Sequence, residues 1–198
     1  MLIGLVAMLA AGALAHTAGG RFDGALDFHQ LPPGVQAAPQ WAFVVDAAAA
    51  WLPLSCLLWL GGKLISRSRF RTVDVFGTQA LARVPTLLTA AACLPPGVRR
   101  YGQHLLEVVR QTLNRLALGA GQSAPAAPPV AASAIDALAF FVCMALMVAA
   151  IVWMVALMYR AFAVSCNVRG GKAVGTFIAA LALAEIASKV IIYVASLL

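Results

Sequence analysis

The chain has 198 residues, 63% of them hydrophobic and 11% charged, with a mean hydropathy of +0.91 and a formal net charge of +7 from 14 Lys and Arg against 7 Asp and Glu. Soluble domains run near half apolar and a quarter charged, so an ordinary soluble domain is excluded and a bundle with an apolar outside is implied. The length fits one membrane-embedded domain over 1–198 with no separate catalytic domain, and basic residues that sit in short loops without interleaved aromatics argue against nucleic acid.

Five apolar stretches predict an all-α, multi-pass bundle of about five helices, at 2–18, 41–62, 73–94, 134–158 and 173–198. Crossing ~30 Å of hydrocarbon takes about 20 helical residues, so the last four are long enough and the first is marginal. In the first, Ala13-Leu14-Ala15 resembles a signal-peptide cleavage site, but Met1-Leu2-Ile3-Gly4 carries no positive charge. Ala7, Ala11 and Ala15 recur at four-residue spacing, which suits close helix packing. A retained helix is the expectation, and a cleaved segment or a shortened N-terminus is the rival reading. The loop that follows holds Arg21 and a group of Asp23, Asp27 and His29, a weak candidate for a cation site.

The second stretch carries Asp46 and Pro53, and the third carries Arg83 and Pro85. Thr72 is expected to cap the third, with Asp74 in its first turn. Membrane helices tolerate interior prolines when neighbours satisfy the freed carbonyls. Residues 95–133 form an extramembrane loop in two parts. Over 99–118, Leu105, Leu106, Val108, Val109, Leu113 and Leu116 fall on one arc opposite Gln103, His104, Glu107, Arg110, Gln111, Asn114 and Arg115. That is an amphipathic helix suited to the membrane interface or to packing over the bundle's end. Residues 119–132, rich in Gly, Ala, Ser and Pro, read as a flexible linker. Ser133 and Asp136 predict a capping box at the start of the fourth stretch.

Basic residues set the orientation. Loops 63–72 and 159–172 hold Lys63, Arg67, Arg69, Arg71, Arg160, Arg169 and Lys172, seven in all. The opposite side holds five: Arg21, and Arg99, Arg100, Arg110 and Arg115 in one long loop, where the rule weakens. The two short loops are therefore expected in the cytoplasm of a bacterial inner-membrane protein, with a cytoplasmic N-terminus and a periplasmic C-terminus.

Charges inside membrane segments are costly and need partners or a cavity, which singles out Asp46, Arg83, Glu185 and Lys189. Counted along their helices, Arg83 and Glu185 both lie near the midplane, where they are expected to pair. Asp46 and Lys189 lie nearer the outer face and are expected to pair likewise. Glu185 and Lys189, spaced i,i+4, can also meet on their own helix. A buried network that fixes helix register is weighed ahead of an ion, proton or ligand pathway. Cys56, Cys93, Cys143 and Cys166 form no C-x-x-C and no metal-ligand spacing with histidine, so they read as small packing residues. G-x-S-x-G, H-E-x-x-H and a phosphate-binding Gly-rich loop are all absent. No catalytic residue, cofactor or metal is expected.

Two stretches resemble bacterial Yip1-family membrane proteins: Ser66-Arg67-Ser68-Arg69-Phe70-Arg71-Thr72-Val73-Asp74-Val75 running on to Ala82-Arg83-Val84-Pro85, and Met158-Tyr159-Arg160-Ala161-Phe162 through Asn167-Val168-Arg169-Gly170-Gly171-Lys172 to Ala184-Glu185-Ile186-Ala187-Ser188-Lys189. The resemblance implies a five-helix bundle with the same orientation. The D-L-Y-G-P motif of eukaryotic members is missing, so their GTPase binding does not carry over. The functional expectation is a non-enzymatic scaffold or assembly protein, partnered by the lipid bilayer and by other membrane proteins or itself. The alternative is a small transporter or channel component using the Arg83/Glu185 cluster.

Overall fold

A computed structural model describes residues 1–17, 20–22, 24, 26, 28–30, 41–118 and 133–195. Among them are seven helices, α1 (Leu2–Thr17), α2 (Ala42–Ile65), α3 (Thr72–Leu81), α4 (Thr86–Ala92), α5 (Pro96–Leu118), α6 (Ala134–Ser165) and α7 (Gly171–Ala195), and two short strands, β1 (Gly20–Phe22) and β2 (Phe28–Gln30). Three helices, α2, α6 and α7, are long and apolar enough to cross a membrane, and α3–α4 with α5 make a fourth if that bent pair is one span. At 16 residues, α1 is about 24 Å long, short of a full hydrocarbon crossing.

Side-chain bonds fix how the helices run. Trp59 donates to the Thr72 hydroxyl (3.1 Å) and Trp51 to the Phe76 carbonyl (3.2 Å), so α2 and α3 are antiparallel. Gln79 donates to Met158 O at 2.9 Å, and Thr78 and Ser165 hydroxyls meet at 3.0 Å, which sets α6 against α3. Ser188 donates to Ala49 O at 2.7 Å and ties α7 to α2. The turns after α2 and α6 meet at one end, where Ser66 Oγ donates to Cys166 O (2.6 Å) and Asn167 Nδ2 to Ser68 Oγ (3.0 Å). The two basic loops therefore share a side. Asn167 reverses the chain there in the left-handed region (φ 50°), with Val168 N–H bonded back to Ala163 O. This is the helix-ending motif that favours Gly or Asn. The core is small and tightly seated, with Leu54, Leu58, Val75, Met158 and Phe162 almost fully enclosed.

Ser133 and Asp136 form the expected capping box at α6. The expected cap at Thr72 is corrected: Arg71 holds that position without a side-chain bond, and Thr72 instead accepts from Trp59. The third stretch is broken rather than kinked. Over residues 82–85 the backbone turns through i→i−3 bonds, Arg83 N–H to Ala80 O and Val84 N–H to Leu81 O, before α4 resumes at Thr86. Pro85 cannot donate, and its ring disfavours helix at the residue before it.

Between α1 and α2, residues 20–22 and 28–30 form a short hairpin. β1 and β2 pair antiparallel, Arg21 opposite His29 and Phe22 opposite Phe28. Leu26, between them, packs into the main core.

Candidate functional site at two proline breaks

Pro53 and Pro85 place two helix irregularities side by side in the bundle. Pro53 has no N–H to offer Ala49 O four residues back. Ser188 Oγ takes that acceptor at 2.7 Å while also approaching Ala184 O at 2.8 Å. The next carbonyl, Ala50 O, accepts a short bond from Arg83 Nη2. Arg83 sits in the 82–85 break and is 3% exposed. Its own carbonyl accepts from Thr86 Oγ1 at 2.6 Å. At Pro53 the freed carbonyl is met by a side chain from another helix, whereas at Pro85 the abandoned Leu81 O takes the Val84 N–H within the break. This is the compensation that hydrocarbon demands, since no water is there to do it.

The four expected site residues are not equivalent. Asp46 and Arg83 are buried, Glu185 is half-buried and Lys189 is exposed. Glu185 lies within electrostatic reach of Arg83. It also meets the hairpin, because a Cβ on Gly24 would overlap its carboxylate. Glu185 is ten residues, about 15 Å, from the C-terminal end of α7, so Gly24 lies about that far along the bundle. Non-helical backbone at such depth requires burial in protein, and Gly24 and Leu26 have it.

Asp46 takes Arg21 as its partner where Lys189 was expected. Arg21 donates through Nε to Oδ2 (3.0 Å) and through Nη2 to Oδ1 (2.7 Å), the planar fork that matches a carboxylate. The clue was available in the sequence: Arg21 is the one Lys or Arg between residues 17 and 40, just ahead of the helix that carries Asp46. A second pair that the sequence reading missed joins Arg100 to Asp136 at 2.7 Å and holds α5 to the start of α6.

Where hairpin, break and helices meet, a cavity of about 30 Å³ is lined by Met8, Phe22, Leu26, Arg83, Thr86 and Thr89 among others. That is room for a water molecule. Elsewhere in the bundle, Ser55 Oγ and Gln79 Oε1 are buried without a hydrogen-bond partner among the described residues. The Ser188 and Thr86 hydroxyl protons are committed to carbonyls. Among the described residues no group of His, Cys, Asp or Glu could hold a metal ion, and all four cysteines are free thiols. Asp23, Asp27 and the side chain of His29 lie outside the described residues. Comparison with protein-family models, curated proteins and solved structures finds no match to this chain.

Proposed function

We propose that this chain is a non-enzymatic inner-membrane protein that acts by helix–helix association, as a scaffold or assembly factor. The observation that carries the reading is Trp153. It is 54% exposed on α6, 13 residues or about 20 Å from the Cys166 end, close to the bilayer centre. Trp51 and Trp59 donate their indole N–H groups to partners inside the protein, and Trp41 opens α2 near the outer face. Trp153 makes no hydrogen bond among the described residues. Hydrocarbon offers an indole donor no acceptor, and tryptophan prefers sites where its polar tip is met. The surrounding surface is open as well: 11% of the most apolar part of α6 is buried, against 33% for α2. A partner helix with a polar side chain fits this face. The Yip1 resemblance implies a protein of the same kind.

In this reading the joined basic loops lie in the cytoplasm, and α1, although short of a full crossing by itself, counts as the first of five passes because it packs along α3 and α4, with the C-terminus periplasmic. The 80° bend between α3–α4 and α5 supports reading α5 as an interfacial helix on the outer side. Photo-crosslinking from Trp153 replaced by a benzophenone amino acid, in native membranes, should capture one membrane protein in good yield. Crosslinks to lipid alone would overturn the proposal.

A second reading, a small transporter or channel component, is favoured by the broken helix at Arg83, since discontinuous spans frame substrate sites in transporters. Uptake by proteoliposomes that disappears in Glu185→Gln would favour it. The hydrogen bonds that fill the break, and the small volume left there, weigh toward architecture.

A further inference from the structure

α5 carries four arginines, Arg99, Arg100, Arg110 and Arg115, against the single acid Glu107. Among the described side chains, Arg100 is used inside the protein, on Asp136. Arg99 and Arg110 are exposed. Eleven residues is three turns, so these two project from the same side of the helix about 16.5 Å apart. They border the apolar arc next to Leu106 and Leu113. That arc is open: Leu105, Leu106, Val109, Leu113 and Leu116 are 42% to 77% exposed.

We propose that this arginine-lined border binds anionic phospholipid headgroups of the outer-facing leaflet. The inference rests on α5 lying in the interface, as read above, and adds the lipid class. An interfacial helix sinks its apolar arc to the headgroup–acyl boundary, which puts side chains at the arc's border level with the phosphates. Arginine suits that place because its stem stays in apolar surroundings while its fork pairs with phosphate oxygens. The positive charge of Arg99 and Arg110, which make no ion pair among the described residues, complements an anionic surface, and α6 carries no acid besides Asp136.

Hydrogen exchange along α5 tests this, using the whole chain at one copy per lipid nanodisc. Discs would be zwitterionic, or one-third phosphatidylglycerol. Basal protection is expected in both, from the apolar arc. In the anionic discs, exchange should slow by about fivefold per arginine at low salt, about 25-fold for the pair. The gain should vanish in Arg99→Gln/Arg110→Gln and in high salt. Equal protection in the two lipids would overturn the headgroup site and leave the interfacial helix standing. No protection in either would overturn both. Protection that appears only with two copies per disc would assign the face to a second copy and also overturn it.

Discussion

The Arg21–Asp46 pair allows a test in which the two partners should not behave alike. With a 2.7 Å contact, the charge centres sit about 4 Å apart, where an effective dielectric of ~20 gives about 4 kcal/mol of attraction. The arginine side chain is 20% exposed and the aspartate 5%. Arg21→Leu strands a carboxylate that cannot reach water, so it should cost about 3–5 kcal/mol, as breaking a buried pair does. Asp46→Leu leaves an arginine whose long stem can carry its head outward. Its cost should be nearer that of a lost charge-assisted hydrogen bond, about 1.5–3 kcal/mol. The double change replaces the pair with apolar groups and should lie within about 1 kcal/mol of the parent. Reversible unfolding in mixed dodecylmaltoside and dodecyl sulfate micelles measures all three. Two results would refute the reasoning: single costs that simply add in the double mutant, or a larger cost for Asp46→Leu than for Arg21→Leu.

Three further outcomes are expected. Gly4→Ala should lower stability by about 1–3 kcal/mol in the same assay, because its Cβ would lie 2.5 Å from the backbone of Ala80 and Leu81 and α1 would have to move off α3. Gly175→Ala, with open space around it in α7, should stabilise by about 0.5–1 kcal/mol. A periplasm-active reporter fused after Ser68 should stay silent and one after Gln122 should be active; the reverse pattern would invert the assigned orientation. Arg83→Leu and Glu185→Leu should each cost up to about 2.5–3.5 kcal/mol and the double mutant should recover part of the loss, whereas additive losses would show that the two charges are satisfied separately.

What the sequence disclosed, and what it withheld, follows from how local each signal is. Long apolar runs and the Ser133/Asp136 box act within a few residues, so α2, α6 and α7 could be read directly. Pro53 and Pro85 likewise marked where helices lose a bond, but a proline names only the carbonyl it abandons. The acceptor freed at Ala49 is met by Ser188, 139 residues on, and its neighbour Ala50 by Arg83, 33 residues on. Neither partner is written into the spacing around Pro53. The hairpin was the hardest element to foresee, because Arg21 alone looks like an ordinary loop charge. Its meaning depends on Asp46 lying inside a bundle whose mouth the loop can enter. Once that salt bridge pulls the strand inward, a residue that meets the Glu185 carboxylate must lack a side chain, and Gly24 does. Depth also explains why Lys189 and Arg21 were interchanged as partners for Asp46. Both are cations, yet Arg21 rides on β1 and reaches the buried carboxylate from there, whereas Lys189 lies on the exposed side of α7, one residue past the inward-facing Ser188. Helix phase thus decides the pairing, and phase between helices is set by packing that no single stretch of sequence contains.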